Sequence, residues 1–256
     1  MNRQAQAVVL FLVGGAMLRA GLTDLHLRYV KAGLRPLVLV AGAVLIVAAV
    51  ATAWYELRRP RTAGDRPADG ERPAAKDRPA DGECHDRSGH AHREPRVSWL
   101  LVLPLCALVL VAPPALGSYS AMRTGTALQK PWGFPALPDG DPLRLDVVDY
   151  AGRAAYGNGR SLGGRKVTVT GFVALDRGGT PQLTRMVLNC CAADAQPVKI
   201  GLSGKVPPVL QSDTWLEVTG TYTGKRTKDP VNGGIIPYLE VSRARPVPAP
   251  RDPYQN

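Results

Sequence analysis

"RKVTVTGFVAL", Arg165–Leu175, is where the chain changes its period. Val167 and Val169 alternate with Thr168 and Thr170 before Gly171 interrupts the pattern. Successive strand side chains point to opposite faces, so the stretch reads as a half-buried strand with a glycine where a bulge would bend it. The turn "GGT" leads into a second strand, "PQLTRMVLNCC", and "QPVKIGL" is a third. In "SDTWLEVTGTYTG" Leu216 and Val218 share one face while Trp215, Glu217 and Thr219 share the other. "GGIIPYLEVSRA" closes the series. Five short strands, with glycine inside the first and fourth, predict a small closed barrel, OB-like ahead of a β-sandwich fragment. The expected domain is residues 141–256. It begins with a helix in "DPLRLDVVDYAGRAAYG", where Asp141 is the N-cap and Pro142 the first helical residue. Leu143, Val147, Tyr150 and Ala151 share its buried face.

The N-terminal half has another character. Leu34–Tyr55 carries no charge after Arg35, and Trp99–Tyr119 carries none at all. About 20 apolar residues cross a bilayer. Ala5–Leu22 is shorter and contains Arg19; a cleaved signal peptide competes there, but Arg19 falls where a small-residue cleavage site belongs. The reading is two transmembrane helices in 1–55, a third in 97–120 and a connector over 121–140. Between them, residues 56–96 repeat "DRPADGE" and should be disordered. Ten Lys/Arg crowd this loop, and basic residues near helix ends stay in the cytoplasm. The barrel is therefore expected outside the cytoplasm of a multi-pass membrane protein. Arg28, Lys31 and Arg35 in the short first loop run against that orientation. The fold class is thus membrane-anchored α + β, N-terminal transmembrane helices followed by a small mostly-β, OB-like barrel. The net charge of +11 points toward membrane lipid or an anionic polymer rather than nucleic acid.

Four cysteines mark the sites to weigh. Cys84, His85, His90 and His92 end the loop, and thiolate with imidazole suits a divalent metal such as zinc. Cys190 and Cys191 are neighbours, with Asp194 shortly after and Arg185 before. Adjacent Cα atoms about 3.8 Å apart are too close for an ordinary disulfide. A strand would turn the two thiols to opposite faces, one to the core and one to the surface. Cys190, Cys191 and Asp194 together are candidate ligands for zinc or copper, although a structural zinc site takes four. No histidine follows His92, and the carboxylates of the barrel domain show no diagnostic pairing, so no enzyme is expected.

Several stretches resemble a bacterial family of permease-subunit membrane proteins with a C-terminal domain of unknown function. They are "YVKAGLRPLVLVAGAVLI", "GRKVTVTGFV", "LTRMVLNCCAADAQPV", "DTWLEVTG" and "PAPRDPY". The most specific is the pattern of Arg185, Cys190, Cys191 and Asp194. The resemblance implies a permease-associated membrane protein, found paired with a larger multi-span permease; with three helices too few for a pore and no catalytic pattern, the expected role is a non-catalytic accessory subunit. Two other functions stay open: a thiol or metal relay working through Cys190 and Cys191, and an exported polymer-binding OB module.

Overall fold

The computed structural model describes residues 3–58, 103, 106, 107, 110, 111 and 113–255. The loop with Cys84, His85, His90 and His92, and most of the expected third span, lie outside the described residues. Two compact units divide the chain, Met1–Ala16 with Ala41–Val111, and Met17–Val40 with Ala112–Asn256.

Helices α1 (Arg3–Leu22) and α2 (Arg35–Arg58) are long and apolar enough to cross a membrane. In the first unit they meet at Gly14, where an added Cβ would stand 2.9 Å from Gly42 O. In the second unit the Arg35 guanidinium Nε donates to Gly21 O at 2.8 Å, satisfying a carbonyl that the end of α1 leaves free. That contact gives one of the three basic residues of the first loop an internal task.

The stretch Trp99–Tyr119 does not run as one helix to its expected end. Residues 113–117 are not helical, and a separate short helix, α3 (Ser118–Arg123), carries Tyr119. Pro113 and Pro114 explain the break, since proline lacks the donor a helix needs and pushes the preceding residue toward extended backbone.

The second unit is built on seven strands: β1 (Leu143–Arg144), β2 (Val167–Leu175), β3 (Pro181–Val187), β4 (Gln196–Gly204), β5 (Trp215–Lys228), β6 (Ile235–Pro246) and β7 (Tyr254–Gln255). The five long ones close on themselves. Antiparallel pairing joins β2 to β3, β3 to β4, β5 to β6 and β5 to β2, and a parallel ladder joins β4 to β6. The result is a closed five-stranded mixed barrel. Strand alternation fills its interior as the sequence pattern requires, with Val167, Val169, Leu183, Ile200, Leu216, Val218 and Leu239 all buried. Gly171 stands where two strands crowd, because a Cβ there would come within 2.7 Å of Thr184 O. Register shifts in β5 fall beside Gly220, the expected second bending point.

The helix expected from Asp141 starts later. Helix α4 spans Val147–Ala155, with Asp146 at its N-cap position. Upstream, Leu143 N donates to Lys166 O at 2.8 Å and Leu145 N to Thr168 O at 3.1 Å. The free edge of β2 claims these residues as a strand, overriding a good local helix start. Leu143, Val147, Tyr150 and Ala151 are nevertheless all buried as expected. The Tyr150 hydroxyl donates to Tyr238 O at 2.7 Å, and burial raises its pKa well above the ordinary phenol value.

A second apolar cluster lies on the outer side of β2 and β3. Phe172, Ala174 and Met186 pack there with Ala121 of α3, Leu188 and Tyr254. The residues before the barrel thus cover one of its faces.

Candidate functional site

β3 ends at Val187, and Leu188 N then donates to Gln255 O at 3.1 Å. Beyond that point the backbone bends at Asn189 and Cys190, and Ala192–Asp194 forms a 3-10 turn. Asp194 reaches back over the bend. Its carboxylate accepts from Asn189 N at 3.1 Å and from Cys190 N at 2.8 Å. A short carboxylate side chain that satisfies nearby backbone donors is a local alternative to the strand ladder. This explains why β3 stops before the cysteines.

The loop between α1 and α2 grips the same turn from the other side. Cys191 forms an isolated antiparallel bridge with Val30; Lys31 N donates to Cys190 O at 3.1 Å, and Ala192 N to Tyr29 O at 2.7 Å. Tyr254 adds a clasp, its hydroxyl donating to Arg28 O at 3.0 Å and accepting from Leu116 N at 3.0 Å.

The expected split of the cysteines into one buried and one exposed thiol is overturned. Cys190 is exposed and Cys191 is half-buried, both are free, and their Sγ atoms lie 3.6 Å apart on one side. Opposite facing belongs to continuous strand, and the bend removes that constraint. The two sulfurs and an Asp194 oxygen all lie within 4.8 Å of one another. Among the described residues no fourth such ligand joins them.

The electrostatics of the cluster are asymmetric. A hydrogen bond to Asp194, reinforced by Cys191, pushes the Cys190 thiol up to about 11, and the same bond holds Asp194 below the ordinary carboxylate value. Cys190 is therefore a protonated donor at neutral pH, and a metal that binds there must displace its proton. The geometry suits that exchange. Two sulfurs bonded at about 2.3 Å to one tetrahedral ion stand roughly 3.8 Å apart, and two on a linear ion roughly 4.6 Å. The observed 3.6 Å separation fits the tetrahedral case.

Arg185, grouped with the cysteines by sequence, is not part of this cluster. It is buried, donates to Tyr254 O at 2.9 Å and to Asp252 O at 3.3 Å, and lies 4.8 Å from the Trp215 ring centroid. Its task is to hold the C-terminal segment. One string, "GRSLG" at Gly159–Gly163, has the spacing of a nucleophile elbow. Ser161 sits in a 3-10 turn between α4 and β2 rather than between a strand and a helix, and residues 93–256 contain no histidine to serve as its base. Sequence reasoning missed the role of Tyr29, Val30 and Lys31, because their backbone groups do the work and side-chain identity does not announce it.

A closed mixed barrel carrying two free, neighbouring thiols beside a carboxylate is the class that fold and site define. Residues 153–255, which include all five strands of that barrel, match the DUF1980 C-terminal domain, an uncharacterised family. None of the curated proteins and none of the solved structures compared with the chain matches it.

Proposed function

We propose that the protein is a membrane-anchored, non-catalytic accessory subunit whose exported barrel holds a zinc-like ion transiently at Cys190, Cys191 and Asp194. The observation that carries this reading is the 3.6 Å separation of two free sulfurs, one on an exposed and one on a half-buried cysteine, beside a carboxylate already fixed by two backbone donors. Three ligands leave one position for a group from elsewhere, which suits passing an ion on and does not suit a closed structural site. The larger permease is the proposed recipient or source; this role rests on the family resemblance.

The strand order, with the third and fifth barrel strands parallel, agrees with an OB-like reading. OB-folds bind polymers on the face of their second and third strands. Here Gln182, Thr184 and Met186 of the second barrel strand are buried, and α3 packs on that side. This favours the ion-binding function over the polymer-binding one.

The clasp between the 29–31 loop and the cysteine turn bears on topology. A barrel bound to the loop that joins two spans lies on that loop's side of the membrane, the extracytoplasmic side if the 56–96 loop is cytoplasmic. Alkaline phosphatase fused after Asn256 should then be active, and fused after Ala63 inactive. The reverse pattern overturns the orientation. For the site itself, the full-length protein in detergent, with Cys84→Ala/His85→Ala/His90→Ala/His92→Ala to silence the loop, should compete with a chromophoric chelator for zinc, and adding Cys190→Ser with Cys191→Ser should abolish the competition. Equal competition by the double variant sinks the ion-binding function.

A further inference from the structure

Within the second unit, a cavity of about 980 Å³ opens between the loop after α1, residues 114–120 and residues 249–253. Three arginines line it: Arg19 in the last turn of α1, Arg28 in the loop and Arg251 near the C-terminus. All three are exposed, and among the described residues no hydrogen bond or ion pair engages their guanidinium groups. Two carboxylates also line the cavity. Asp213 is already committed, accepting from Ser118 N at 2.6 Å and from Ser118 Oγ at 2.8 Å. That leaves Asp24 as the countercharge to three cations. The inner wall is different in kind: Phe172 and Trp215 meet there edge to face, with ring centroids 5.7 Å apart.

Cations at the mouth and aromatic rings behind them match an amphiphile with an anionic head. A small soluble anion would use the guanidinium groups and leave the rings idle. Position decides the source. The apolar span of α1 runs Gln4–Leu22, so Arg19 stands near its end, at the depth where arginine reaches lipid headgroups. We propose that this cavity holds an anionic phospholipid, its phosphate clamped by Arg19, Arg28 and Arg251 and the apolar part next to it lying against Phe172 and Trp215. The inference rests on α1 crossing the membrane and is independent of the thiol site.

The test is native mass spectrometry of the full-length protein released from nanodiscs of phosphatidylcholine doped with phosphatidylglycerol. Wild type should retain phosphatidylglycerol over phosphatidylcholine by on the order of a hundredfold, given three basic groups at the surface. The triple variant Arg19→Gln/Arg28→Gln/Arg251→Gln should lose this preference, and Arg177→Gln, which removes one charge from the β2–β3 turn, should keep it. Arg251→Gln alone should reduce it, guarding against a folding defect in the triple variant. Unchanged zinc competition by the triple variant separates failure of this inference from failure of the ion site. No lipid preference in wild type, or a preference retained by the triple variant, overturns the proposal. Complete displacement of phosphatidylglycerol by soluble glycerol 3-phosphate also overturns it, because the site would then be one for a soluble phosphate.

Discussion

Asp229 and Asp194 are two carboxylates of one domain with opposite surroundings. Asp229 is buried with Lys199, their charged atoms 2.8 Å apart, and it also accepts from Thr126 N and Val231 N at 2.9 Å each. Lys199 spends another proton on Thr124 O at 2.9 Å. Both charges there are matched, and the product is the route of the chain from α3 onto the barrel. Asp194 also satisfies backbone donors, but the two free thiols beside it, one exposed and one half-buried, bond only within their own cluster. Saturation under burial marks a structural element, and spare capacity under exposure marks a place to bind.

The largest effect should come from breaking the buried side of this contrast. Asp229→Ala leaves an ammonium buried without its partner and should cost about 3–5 kcal/mol, read in a denaturant melt of the full-length protein. Lys199→Met combined with Asp229→Leu should recover only part of that loss, since it removes the unpaired charge but leaves Thr126 N, Val231 N and Thr124 O without their partners. A loss below about 1 kcal/mol for Asp229→Ala would break the comparison.

Next come the thiols. Cys190→Ser and Cys191→Ser should each weaken zinc capture by about tenfold or more, each removing one of three ligands. Cys190→Ser should shift stability by no more than about 0.5 kcal/mol, the usual range at exposed positions, and Cys191→Ser, which is half-buried, by about 1 kcal/mol at most. A loss above about 2 kcal/mol for either would return that residue to the core.

A smaller effect sharpens the electrostatic side. Because the Cys190 thiol is pushed up to about 11, zinc competes with its proton, and apparent affinity should climb as pH rises from neutral. The Asp194 hydrogen bond is the leading cause of the raised value, so Asp194→Asn should move the alkylation midpoint of Cys190 toward lower pH. An iodoacetamide rate profile unchanged by that substitution would remove Asp194 from the cluster's chemistry.

The smallest effect tests the clasp. Tyr254→Phe deletes the hydroxyl that joins Arg28 O to Leu116 N and should cost about 1 kcal/mol. Amide exchange at Lys31 and Ala192 should quicken in the variant. No change in exchange would show that the loop holds the cysteine turn without Tyr254.

The barrel was legible because its signal is periodic. Val167 and Val169 against Thr168 and Thr170, and Leu216 and Val218 against Trp215 and Glu217, state which face is buried before any partner strand is known. The start of α4 was not legible. Asp141 and Pro142 make a good local helix start, and what defeats it is the β2 edge more than 20 residues downstream, pairing Leu143 with Val167. The residues of the candidate site could be named from their side chains alone. Their geometry could not, because it depends on where β3 stops.

By itself, then, the sequence determined the strands, their buried faces, two apolar helices and the trio Cys190, Cys191 and Asp194. These follow from side-chain chemistry at short range. Tertiary structure alone decided that both thiols point the same way, that Arg185 leaves them for the C-terminal segment, and that the loop after α1 clasps the cysteine turn. The reason is physical: backbone hydrogen bonds made across long sequence separations, such as Ala192 N to Tyr29 O, are indifferent to which side chains flank them. No local pattern can encode them.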